Sequence, residues 1–188
     1  MKSKLLVLLL TVLVSCQTIT VKDTSYNTSN SIIELATIGQ SSKKINQSLV
    51  FKTISFPHFE EKIKLHVDVV PFSKTANKAY KNKFKFNQNL TQINYVDSLA
   101  VKLEMVMITI ADKTALIAEL NSEQNKSVKE YLKNNPKTSI VNSVLAISSK
   151  QDIDKFKQAD TFYFVQSTTA KYGVALYKNG KKTEVIDL

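Results

Sequence analysis

His58 and His66 are the only histidines in the chain, and Glu60, Glu61 and Asp68 lie close to them in sequence. These residue types ligate zinc or a hard cation, or pair as acid and base. On a strand, His66 and Asp68 would share a face with Lys62 and Lys64, whose ammonium groups oppose a bound cation. The spacing also follows no established ligand pattern, so no metal ligand set is assigned. Asp152 and Asp154 offer a carboxylate pair of the type that cleaves glycans. They sit where acids and lysines alternate, the pattern of a wet helix face. The chain has no G-x-S-x-G elbow, no H-E-x-x-H and no glycine-rich phosphate loop. No catalytic residue and no cofactor are assigned. One reading kept open is a hydrolase acting on glycan or ester substrates through a carboxylate pair or a histidine-containing site.

Charge supplies a second kind of chemistry. The chain carries 26 basic residues against 16 acids, for a net charge of +10. Every basic residue is lysine. Arginine is the planar fork suited to phosphate and guanine edges, so its absence argues against nucleic-acid readout. The densest basic segment holds Lys74, Lys78, Lys81, Lys83 and Lys85, interleaved with Tyr80, Phe84 and Phe86 and free of acids. Alternation of Tyr80, Phe84 and Phe86 with Lys81, Lys83 and Lys85 predicts a strand with an aromatic face and a basic face. Such a strip suits anionic lipid headgroups or acidic glycan, with rings free to stack. Lysines on an edge strand also serve simply to block edge-to-edge pairing.

The only cysteine, Cys16, closes a distinctive run. Lys2 and Lys4 precede ten apolar-type residues, Leu5 to Val14, and Ser15 comes directly before Cys16. A spanning helix needs about 20 apolar residues, so this stretch reads as a cleaved export signal. Leu13-Val14-Ser15-Cys16 resembles the lipobox of bacterial lipoproteins, and the resemblance covers residues 1–16. It implies a Cys16 bearing diacylglycerol and palmitate-type chains, and a membrane attachment through that residue. One acyl chain binds only marginally, whereas two or more hold firmly. By the same resemblance, Gln17 in place of Asp implies the outer membrane. Only Lys22-Asp23 interrupts a neutral stretch after the cysteine, which favours the periplasmic face. Asp97-Ser98-Leu99 is similar to a short O-glycosylation acceptor of exported proteins, with Ser98 as the candidate site. With Cys16 consumed by lipid, the body has no disulfide and no thiol nucleophile.

The elements that must position these residues follow from periodicity. Residues 1–15 read as signal, 16–47 as lipidated cysteine and flexible polar tether, and 48–188 as one domain. Ile32, Ile33, Leu35 and Ile38 interrupt the polar tether, and a short docked element there is the other reading. Leu49 to Phe56 and Ile63 to Val69 read as strands. Val101, Leu103, Met105 and Met107 share one side of another, with Val106, Ile108 and Ile110 opposite. Asp112 is placed to cap a helix with Leu116, Ile117 and Leu120. Ser122 opens a second helix with Val128, Tyr131 and Leu132 on one face, and Asn134-Asn135-Pro136 stops it. Ser139 to Ile147 is expected as one strand. Ser148-x-x-Gln151 is a capping-box pattern for a helix burying Ile153 and Phe156. Thr161 to Ser167 returns as a strand, and Asn179-Gly180 marks a hairpin pairing Leu176 with Thr183 and Val174 with Val185. Tyr172, Val174, Leu176 and Val185 would then share a buried face. The fold class is α+β: a largely antiparallel sheet, two or three short helices on one face, and a C-terminal hairpin. One parallel pair is allowed in the middle. The function expected is a non-enzymatic, lipid-anchored binding or structural module, with an envelope protein or an anionic lipid or glycan as partner.

Overall fold

The computed structural model describes residues 18–21, 24–27, 33–42, 50–86, 95–96, 103–166 and 172–188. In chain order the elements are β1 (Thr18–Val21), β2 (Thr24–Asn27), β3 (Ile38–Ser42), β4 (Val50–Ser55), β5 (Ile63–Pro71) and α1 (Lys74–Phe86). There follow β6 (Glu104–Ile110), α2 (Lys113–Leu120), a 3-10 turn (Glu123–Asn125), α3 (Lys126–Asn134), β7 (Thr138–Ile140) and β8 (Ser143–Ile147). The chain ends with α4 (Lys150–Gln158), β9 (Thr161–Val165), β10 (Gly173–Lys178) and β11 (Lys181–Asp187). This is an α+β fold. A six-stranded sheet runs in the order β11-β10-β9-β5-β6-β8, a three-stranded sheet in the order β4-β3-β7, and β1 pairs with β2. Every described pairing is antiparallel, so the parallel pair allowed by the sequence is absent from the described strands.

Side-chain alternation sorts the large sheet into two faces. Ile63, Leu65, Val106, Ile108, Ile110, Phe164, Val174 and Leu176 point to one side, where Leu116 of α2 and Ile153 and Phe156 of α4 cover them. Phe59, Phe164 and Tyr172 meet there, with ring centroids 4.8 to 5.6 Å apart. Val70 and Met105 face the other way, into a smaller cluster with Ile19, Phe72, Ala76 and Ala79. The short helices α2 and α4 thus lie on one face, and α1 with β1 lies on the other.

Several expectations shift. Leu35, Ala36 and Ile38 are buried, and β3 is the central strand of the small sheet, so the docked reading holds for this part of the 16–47 lead. The run 139–147 splits into β7 and β8, which belong to different sheets. Between them, Val141 N–H donates to Thr37 O and Ala36 N–H donates to Val141 O. Asp112 caps α2 as expected, its carboxylate accepting from Ala115 N–H at 2.9 Å. At α4 the cap is Ser149, one residue later than expected, paired with Asp152.

The C-terminal hairpin turns at Asn179 and Gly180, both with positive φ, as a two-residue turn of the twist-matching type requires. Its register differs from the expected one. A bulge between Leu176 and Tyr177 sets Leu176 against Glu184 and Val174 against Ile186. Thr183 is the extra residue, and its hydroxyl donates to Leu176 O at 3.1 Å. The slip carries Val185 to the opposite face, and Ile186 takes its place against the core.

Candidate functional site

The basic segment is a helix, not a strand. Ser73 caps it, its hydroxyl accepting from Ala76 N–H at 3.1 Å. Local alternation over residues 80–86 suggests a period of two, but Phe72, Ala76, Ala79 and Tyr80 recur at helical spacing, and Ala and Lys are good helix formers. The inward face packs Ala76 and Ala79 against Ile19 of β1, Val70 and Met105. Lys74, Lys78 and Lys81 recur at steps of four and three on the exposed face. No carboxylate within ion-pair distance faces any of them among the described residues, whereas Lys150, Lys155 and Lys157 are all paired.

The change of element separates the lysines from the aromatic rings. Tyr80 is half-buried, with its ring edge-on to Phe72 at 6.3 Å, and burial raises its hydroxyl pKa. It lines the core seam and does not present a stacking face beside the lysines. The backbone of α1 includes positions 83 to 86, but the side chains of Lys83, Phe84, Lys85 and Phe86 lie outside the described residues, as do Cys16 and Ser98. Around the same cluster stand exposed apolar side chains. Val96, 51% exposed, follows Tyr95, whose ring lies 5.7 Å from Phe72. Leu103, 43% exposed, accepts from Phe72 N–H through its carbonyl. Ile147, 41% exposed, sits opposite Met105 in the sheet. This end of the molecule therefore carries bare ammonium groups and accessible hydrocarbon together.

The histidines do not meet. His66 and Asp68 lie two apart on the outer face of β5, with Nε2 to Oδ2 at 2.9 Å. Thr109, opposite His66, has its hydroxyl 2.7 Å from that of Ser143, which is itself 3.0 Å from the Tyr26 hydroxyl. A histidine, an acid and hydroxyls thus share a sheet face. His66 is 64% exposed there, so water is not excluded from it. Its Nε2 is engaged by the acid, and the Ser143 hydroxyl donates to Ile108 O. His58 lies elsewhere, in the loop before β5. No group of three or more His, Cys, Asp or Glu among the described residues could hold a metal ion. Asp152 and Asp154 face Lys155 and Lys150 on the wet side of α4. A shallow hollow of about 130 Å³, lined by Lys155, Gln158, Leu176 and Glu184, contains neither of these carboxylates.

Two arrangements escape sequence reasoning. Asn125 is 1% exposed and fully bonded: Oδ1 accepts from His58 N–H at 2.8 Å, and Nδ2 donates to His58 O and Glu119 O at 2.6 and 2.9 Å. It fastens the loop before β5 to the α2–α3 junction. Tyr163 and Tyr177 meet edge-to-face at 5.1 Å, with the Lys62 ammonium 4.5 and 5.2 Å from their rings. Outward alternation on β9 and β10 was the available signal for the tyrosines; nothing local points to Asn125, whose partners are distant backbone atoms. No protein-family model matches the chain, and no curated protein or solved structure is significantly similar to it.

Proposed function

We propose that the chain is a lipid-anchored, non-enzymatic binding or structural module of a bacterial envelope, held through an acylated Cys16 at the periplasmic face of the outer membrane. The observation that carries this reading is the ordered run of Lys2, Lys4, the apolar stretch Leu5 to Val14, Ser15 and Cys16. Two features of the body support the non-enzymatic part: His66 is left largely open to water beside Asp68, and the Asp152–Asp154 pair is tied to lysines. The test is growth with radiolabelled palmitate. Label is expected in the wild-type protein and not in a Cys16→Ser form, which should also lose its membrane fractionation. Equal processing and fractionation of the two forms refutes the anchor.

The second reading, an envelope hydrolase, is favoured by one observation, the His66–Asp68 contact beside the Thr109 and Ser143 hydroxyls. It requires that His66→Ala abolish an ester- or glycan-cleaving activity of the purified protein.

A further inference from the structure

The anchor position and the fold together carry an orientation. Cys16 precedes Thr18, the first residue of β1, by two positions, and two residues span at most about 7 Å. β1 is docked: Ile19 is 7% exposed and packs with Ala76 and Ala79 of α1. A lipid on Cys16 therefore leaves the body beside α1 and not at the end of a thirty-residue leash. The exposed face of α1 offers Lys74, Lys78 and Lys81 along about 10 Å of helix, at 1.5 Å per residue. The sequence has no acid between Asp68 and Asp97. Val96, Leu103 and Ile147 add exposed hydrocarbon around the same cluster.

We infer that this end of the domain lies down on an anionic bilayer, the same one that holds Cys16, with the α1 lysines against its headgroups. The inference rests on the anchoring proposed above. The chemistry is matched on both counts. Juxtamembrane lysines are drawn to an anionic surface. Apolar side chains of this kind enter the headgroup boundary favourably. α2 and α3, on the other side of the sheet, face away from the bilayer, and they carry Lys113, Lys126 and Lys129.

The experiment is amine-reactive footprinting of the envelope-extracted protein, read by mass spectrometry. The protein is reconstituted on vesicles of equal parts phosphatidylcholine and phosphatidylglycerol, and separately on phosphatidylcholine alone. On the anionic vesicles Lys74, Lys78 and Lys81 should label at least about fivefold more slowly than in detergent, a protection set by the headgroup attraction. Lys113, Lys126 and Lys129 should be unchanged, and the protection should fall on the neutral vesicles. Uniform labelling of all six lysines overturns the docking. Equal protection on both vesicle types overturns the role of the lysines. The mass of the Cys16 peptide in the same material separates the two claims: an unmodified cysteine sinks the anchor, whereas an acylated one with unprotected lysines sinks only the orientation.

Discussion

Asn125→Ala isolates one side chain that ties two distant parts of the core face together. The substitution removes the bonds to His58 N–H, His58 O and Glu119 O, and a longer one to the Ser122 hydroxyl, from a site that is 1% exposed; Glu119 O keeps Ser122 N–H at 3.0 Å. At about 1 kcal/mol net per bond the loss is about 3 kcal/mol, and more if the vacated space stays dry. For a domain of this size that is a fall in Tm of about 6 to 12 °C. Urea unfolding followed by circular dichroism gives the free energy, and hydrogen exchange at the His58 amide reports the local release. Asn121→Ala is the matched control: its Nδ2 bond to Ile117 O, at 2.8 Å, is exposed, so its cost should stay within about 0.5 kcal/mol. Equal effects of the two substitutions, or an Asn125→Ala cost below about 1 kcal/mol, would refute the claim that this buried amide holds the loop.

Asn77 is 8% exposed and its Oδ1 has no hydrogen-bond partner among the described residues, so Asn77→Ala should raise the urea midpoint by removing an orphaned acceptor and improving helix propensity, together worth about 1 kcal/mol. Asp160 accepts from Asn179 N–H at 2.7 Å and from the Thr161 hydroxyl at 2.9 Å, and these bonds hold its carboxyl below the usual range. A depressed folded pKa stabilises above the unfolded value of about 3.9 and loses that contribution as pH falls through the folded one. Asp160→Asn should therefore lower Tm at neutral pH, with the difference from wild type vanishing in acid. Gly180→Ala meets no atom of the described residues within 4 Å and should cost about 1 kcal/mol from its positive φ alone. Gly39→Ala drives a Cβ into Lys52 O and the Phe51 ring, so its thermal-unfolding penalty should be clearly larger, about 2 kcal/mol or more.

Where a local pattern had one meaning, the sequence was a sound guide. β5 alternates cleanly, Asp112 stands before an apolar run, and Asn179-Gly180 permits little besides a tight hairpin. At α1 two patterns compete: Lys and aromatic residues alternate over 80–86 while the buried positions Phe72, Ala76 and Ala79 keep helical spacing, and burial decides between them. The hairpin register was missed because the bulge at Leu176 is set by burying Ile186 against Val174, a tertiary preference with no local mark. Of the candidate site, the lysines were legible as a charge cluster. Their separation from Tyr80 and their nearness to β1 depend on how α1 packs.

The small sheet joins residues a hundred positions apart, Ile38 against Ile140, and the main core gathers side chains from Leu35 through Leu176. A half-made chain can close its local pairs, β1 with β2 and β3 with β4, but not its main core: β3 waits for β7, and β5 lacks its neighbour β9 until the final third has emerged. The last strands to be made are thus the ones that complete the main core, and its closure waits for nearly the whole chain.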